Sequence, residues 1–344
     1  MIYSADMSDL EEYWFDPPEV DDPAFPPLPR ADRRVLLDPA AWRAAEKECA
    51  DALANAAMAI GRLDGLLAGL DETLRAGMIP RLALTEVEAM LWAAGTPIAQ
   101  EVLIRDLADA PAKVDLEALS QARWAIGRLQ GRGRLDDLRD FLGLHRAGQG
   151  RGDSDLLRLI GKSFEDEAEG FAAGLAEVEG RHAITRAAHG LRLWRLTDLS
   201  PDGHQLESAV WAARRLADGT ADMVFVPMGQ AGRAVWMTGG KPDLFLASWY
   251  RAISQGCLDA AHLVRAVSAW ADQAQRSAAS FKGANAGKVI AALVAAPVLS
   301  AMDLERETGL SRDTTVRLVA KLQDLGLVRE ITGGRRYRFW TAQL

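Results

Sequence analysis

Residues 300–326 read SAMDLERETGLSRDTTVRLVAKLQDLG, and their punctuation describes two helices joined by a sharp turn. Ser300 is placed to cap a helix through Asp303 and Thr308, whose early acids suit the positive end of its dipole. Gly309 supplies the left-handed backbone that a tight helix-to-helix turn requires. Leu310 can plug the space between the helices, and Ser311 is placed to cap the next one. That helix is expected over 312–325, with Leu318, Val319, Leu322 and Leu325 inward and Arg312, Thr314, Arg317 and Lys321 outward, and Gly326 ends it.

Upstream, 286–295 is an apolar helix stopped by Pro297; downstream, strand-like 327–331 and 335–340 flank Thr332, Gly333 and Gly334. Helix, helix, turn, helix and basic hairpin together predict a winged helix-turn-helix over 286–340. Its natural partner is double-stranded DNA. Ser311, Arg312, Thr314, Arg317 and Lys321 would face base edges, while Arg335, Arg336 and Arg338 near the wing tip would meet phosphates. Three to six such contacts would make affinity fall by roughly 0.9 log units per contact per log unit of salt. Winged helices also serve as protein-protein modules, so the architecture leaves that alternative open.

The chain of 344 residues, 49% apolar and 26% charged, has room for more than one domain. We read four regions: an acidic, Pro-rich arm (1–34), an N-terminal helical region (35–143), a central helical region (144–282) and the winged helix (283–344). Residues 1–29 hold eight acids, six prolines and no base, a composition suited to an extended arm, with Tyr13, Trp14, Phe15 and Phe25 available as anchors. From residue 285 onward nine bases face six acids, so the tail carries +3 and the remainder −11 of the net −8.

Between 39 and 110 the apolar residues recur at helical spacing in three groups: Trp42 and Ala45; Ile60, Leu63, Leu66, Leu67 and Leu70; Leu82, Val87, Met90 and Leu91. Ala59-Ile60-Gly61-Arg62-Leu63-Asp64-Gly65 returns as Ala125-Ile126-Gly127-Arg128-Leu129-Gln130-Gly131, an echo too short for a repeat architecture. Residues 144–155 read as a glycine-rich loop, and helical signals resume over 155–195, 205–216 and 244–281. Within 223–237, two short apolar runs around Gly229-Gln230-Ala231-Gly232 predict a β-hairpin. The expected class is mainly α, a helical bundle with one hairpin and a winged-helix tail.

Three segments resemble the Fic family, which often pairs an all-helical catalytic domain with such a tail: 325–338, 270–281, and Ile60-Gly61-Arg62-Leu63-Asp64-Gly65-Leu66-Leu67. The chain also resembles uncharacterised bacterial proteins that carry a helix-turn-helix tail. The Fic resemblance implies a Fic-like body and transfer of AMP from ATP to a protein hydroxyl. That chemistry uses a His-Pro-Phe-x-Asp/Glu-Gly-Asn-Gly-Arg motif, and the chain has none. The nearest stretch, Ala187-Ala188-His189 leading to Ser200-Pro201-Asp202-Gly203-His204-Gln205, keeps Asp202 and Gly203 but lacks a base at the required spacing and the phosphate-holding Asn-Gly-Arg. Ala93-Ala94-Gly95-Thr96 likewise resembles the family's inhibitory Ile-Glu-Gly-Thr with Ala94 in place of the Glu. The two losses agree, and imply a body retired from catalysis and kept for dimerisation or sensing.

Other chemistry finds little support. Residues 283–289 resemble a phosphate-binding loop but are one residue short and place Val289 where Ser or Thr should hold magnesium. The five histidines show no metal-ligand spacing, and the acidic run 165–169 lacks a calcium-loop glycine. Cys49 and Cys257 show neither disulfide nor zinc spacing, and no basic neighbour activates Cys257. Trp194, Trp211, Trp236, Trp249 and Trp270 either fill core or line an apolar pocket. The apolar run 289–299 is too short to span a bilayer and no leader pattern opens the chain, so a cytoplasmic address is expected.

The expected function is a non-enzymatic, DNA-binding transcriptional regulator. It needs no cofactor or metal, is expected to pair as a homodimer, makes no membrane contact and has room for an effector. The alternatives are a divergent nucleotidyl or AMP transferase, and a protein-protein module whose acidic arm masks the wing.

Overall fold

The computed structural model describes residues 36–107, 115–144, 157–237, 239–281, 283–332 and 338–344. The acidic arm, nearly all of the glycine-rich loop, and Arg335 and Arg336 therefore lie outside the described residues. Fourteen helices and one three-stranded sheet make up the rest.

The N-terminal group is α1 (Pro39–Glu48), α2 (Ala50–Ala68), α3 (Glu72–Ala93), α4 (Gln100–Leu107), α5 (Leu116–Leu129) and α6 (Leu138–Leu142). Local chemistry starts several of them. Asp38 accepts from the amides of Ala40 and Ala41 ahead of a proline at the first helical position, and Asp71 accepts from Leu74. The expected apolar stripes are inward: Trp42, Ile60, Leu63, Leu67, Val87, Met90 and Leu91 are all buried. The echoed pair behaves likewise, with Ile126 and Leu129 buried on α5 as Ile60 and Leu63 are on α2.

The central group is α7 (Gly161–Ala176), α8 (Ala183–Trp194), α9 (Leu206–Arg215), the one-turn α10 (Gly229–Gly232) and α11 (Pro242–Ala278). Rings of Phe171, Trp194 and Trp211 meet at 5.1–5.9 Å between centroids, and Trp236 meets Trp249 edge-on at 5.4 Å. The five central tryptophans are thus core, each at most 4% exposed.

The hairpin expected over 223–237 is not there. Donors in this stretch are used by neighbouring helices instead of a partner strand. Val226 N donates to Ala213 O of α9, and the amides of Met228 and Gly229 donate to one oxygen of Glu86 on α3. Pro227 has no donor to give. Trp236 Nε1 donates to the other Glu86 oxygen at 2.9 Å, and Gly256 of α11 packs so closely on Pro227 and Met228 that a Cβ there would overlap their backbone. A fully buried carboxylate thus replaces a sheet as the organiser.

The tail is α12 (Asn285–Ala295), β1 (Leu299–Ser300), α13 (Ala301–Thr308), α14 (Arg312–Asp324), β2 (Val328–Glu330) and β3 (Phe339–Ala342). The strands are antiparallel in the order β1-β3-β2, with Leu299 opposite Trp340 and Val328 opposite Ala342. The two-residue β1 escaped the sequence reading.

One helix belongs to both cores. The stretch of α11 from Phe245 to Val267 joins the large body core, whereas Trp270, Ala271, Ala274 and Ala278 join the tail core of Val289, Ile290, Leu293, Leu304, Val319, Leu322 and Trp340. Three body side chains then donate to tail carbonyls. Trp270 Nε1 reaches Leu327 O at 2.7 Å, and Arg105 Nη2 reaches Thr332 O at 3.4 Å. Arg81, 7% exposed, sends Nη1 to Val294 O and Gly77 O, both at 2.7 Å, and Nη2 to Leu293 O at 2.6 Å and Ala296 O at 2.8 Å. Gly77 lets α3 and α12 approach, since a Cβ on it would overlap the Val294 carbonyl oxygen.

Arg81→Met should leave three tail carbonyls without their donor and cost about 3 kcal/mol in urea unfolding; a loss below ~0.5 kcal/mol would show that the clasp contributes nothing. Burial raises the Glu86 carboxyl to about 7 against the lowering effect of its three donors. From its ordinary 4.5 up to that value the fold binds more protons than the unfolded chain, so this group makes stability fall as pH rises, by at most about 1.4 kcal/mol per pH unit. Glu86→Gln should remove that slope from a pH series of melting curves.

Candidate nucleic-acid interface

The turn before α14 is built largely as its sequence requires. Gly309 has φ +67° and its amide donates to Glu305 O at 2.9 Å, while Leu310 packs against the tail core. Helix α13 begins earlier than expected, at Ala301, through a reciprocal cap. Asp303 N donates to Ser300 Oγ at 3.2 Å, and Ser300 N donates to the Asp303 carboxylate at 3.0 Å. Burial alone would raise that carboxyl, but the Ser300 donors and Arg306 outweigh it and hold it below the ordinary range.

Helix α14 buries Thr315, Leu318, Val319 and Leu322. Thr315 Oγ1 donates to Arg312 O at 2.8 Å, which satisfies its hydroxyl inside the core. Leu325 departs from the expected inward row: it is 50% exposed, because the helix stops at Asp324 and the left-handed Gly326 redirects the chain so that Leu327 enters the core.

On the outer face, Arg312 and Arg317 are exposed and form no ion pair with any described carboxylate. Thr314 is half-buried and accepts from Ser311 Oγ at 3.0 Å, so Ser311 stands at the cap position without bonding the backbone with its side chain. Lys321 is exposed, with Nζ 5.5 Å from the centre of the Phe281 ring. Arg306 is exposed too, but Asp303 and Glu307 neutralise it.

The wing is more constrained than its composition implies. Arg338 donates through Nε to Glu330 at 2.7 Å and lies 5.3 Å from the Trp340 ring centre, so its charge is met within the wing. Thr332 closes the base: its hydroxyl donates to Glu330 and accepts from Phe339 N, each at 3.2 Å. The structure therefore places Arg312, Thr314, Arg317 and Lys321 on α14, Ser311 at its cap and Arg338 on the wing; Arg335 and Arg336 lie outside the described residues.

Sequence reasoning missed Arg329, exposed on β2, and the three body residues that hold the tail, Arg81, Arg105 and Trp270. Arg329 was visible as a basic residue inside a predicted strand. The others carried no local signal, since each acts on carbonyls more than 50 positions away. Among the described residues no cluster suited to a metal ion occurs, and no helix is long and apolar enough to cross a membrane.

Residues 285–336 match the MarR family, which covers the winged helix up to the wing arginines. The chain is similar to the crystal structure of a Fic family protein from Desulfovibrio desulfuricans G20, at 13% identity and a TM-score of 0.44, over 85% of this chain and 95% of that one. No curated protein matches the chain. The match over 285–336 agrees with the winged-helix tail read in the sequence, whereas the Fic likeness is too distant to carry an argument about fold or chemistry.

Gly309→Ala should cost about 1 kcal/mol by forcing a side chain into the left-handed turn. Urea unfolding followed by tryptophan fluorescence will read it, and an unchanged midpoint would show that the turn tolerates a Cβ.

Proposed function

We propose that the chain is a transcriptional regulator that reads double-stranded DNA with α14 and holds the backbone with the wing. The observation that carries this is Arg312 and Arg317, two exposed guanidinium groups five residues apart on α14, neither ion-paired among the described residues, on a helix whose inner face is locked into the tail core. The segment's match to the MarR family supports the same reading. Base contacts belong to Ser311, Arg312, Thr314, Arg317 and Lys321, and phosphate contacts to Arg335, Arg336 and Arg338. The Arg338–Glu330 pair leaves a smaller net charge at the wing than its arginines suggest, so one tail binds modestly and two acting on paired half-sites bind well.

Under this reading the protein works as a homodimer, and the helical body serves dimerisation or sensing of an effector instead of catalysis. The acidic arm, of opposite charge to the wing, tunes access to DNA. Light scattering of the purified protein checks the dimer: a monomer at every concentration rejects it.

DNA fragments from the source genome should be retarded by the full-length protein, with affinity falling about 3 to 5 log units per log unit of salt. Replacing Arg335, Arg336 and Arg338 together should weaken all fragments equally. Arg312→Ala or Arg317→Ala should flatten the preference among fragments and cost about 1–3 kcal/mol on the best one. Absence of any salt-sensitive retardation, with and without residues 1–34, overturns the reading.

A further inference from the structure

The loop between α8 and α9 walls a cavity of about 460 Å³, a size suited to a small molecule. Its charges are ordered by depth. Arg195, just past the end of α8, lies in the half-buried wall, and its partners are weak and uncharged: Nε donates to Ser208 Oγ and Nη2 to Met237 Sδ, each at 3.4 Å. Burial, with Arg192 nearby, lowers its guanidinium to about 10, so an anion beside it would be welcome. Asp198 and Asp202 line the same cavity from exposed positions, and neither they nor Arg195 form an ion pair among the described residues. Opposite charges therefore share one cavity without neutralising each other.

The loop itself is held from beneath. Arg158 donates to Leu199 O at 3.0 Å and to the two oxygens of Glu207 at 3.1 and 2.7 Å. Ser200 Oγ donates to Glu207 at 2.6 Å and accepts from Trp194 Nε1 at 2.8 Å. These bonds are satisfied before any ligand arrives, so little ordering remains to oppose binding.

The distribution of charge selects the ligand. A plain anion reaches Arg195 only past two carboxylates, and a plain cation attracted to those carboxylates meets an uncompensated guanidinium deeper in. A molecule carrying both charges satisfies both ends, and Trp194 and Met237 offer its carbon skeleton an apolar wall. We propose that this cavity binds a small zwitterion of the free α-amino-acid class, with its carboxylate on Arg195 and its ammonium toward Asp198 and Asp202.

The test is thermal melting of the full-length protein with each common L-amino acid in turn at millimolar concentration, using acetate and ethylammonium as single-charge probes. At least one amino acid should raise Tm and titrate to one site by calorimetry, while neither probe does. Asp202→Asn, an exposed change that the fold should tolerate, should weaken that binding about tenfold, and Arg195→Met should abolish it. The proposal is overturned if no amino acid shifts Tm, if acetate does so as strongly as any amino acid, or if binding is undiminished in both variants.

Discussion

The placement of the tail depends on one buried cation. Arg81 stands inside the molecule with its guanidinium spread over four carbonyl oxygens, three of them at the C-terminal end of α12. Burial lowers its affinity for a proton to about 10, yet the charge is not wasted there. The last carbonyls of a helix have no intrahelical donors and carry the negative end of its dipole, so a cation that donates to several of them offsets much of its own desolvation. Gly77, one turn earlier on α3, clears the space for that approach. The clasp ties the first tail helix to the middle of the body.

Helix α11 makes the same connection in another way. Its 37 residues run from the body core into the tail core without a break, so no flexible joint lies along it. Trp270, near its end, uses its indole to bond the residue that opens the wing. Arg105 then touches the wing base from α4. A winged helix mounted this way takes its orientation from the body.

Buried polar groups organise the body wherever regular hydrogen bonding fails. Glu86 holds the irregular 228–236 stretch by accepting two amides and an indole, and Glu207 with Arg158 holds the loop before α9. Both carboxylates are almost wholly buried and hydrogen-bonded, Glu207 to the Arg158 cation and Ser200, and Glu86 to three neutral donors that offset only part of its desolvation. The tryptophans fill the space between these posts, and the charged cavity lies against one of them.

The winged helix was legible because its signals are local. Ser300, Gly309 and Gly326 mark helix ends by backbone chemistry that holds in any context, and the spacing of Leu318, Val319 and Leu322 names the inner face of α14. Two short apolar runs within 223–237 signalled strands just as locally, but a strand exists only where another strand supplies its partners. Here Glu86 and Ala213 claimed those donors first. Leu325 left its expected row for a similar reason, once Gly326 turned the chain and Leu327 filled the place. The sequence by itself determined most of the helices and the exposed face of α14, because those depend on neighbours within a turn. Only the tertiary structure decided how the tail is held, which wing charges are already met and where the cavity's charges lie. Those depend on contacts between residues distant along the chain, whose geometry exists only after packing.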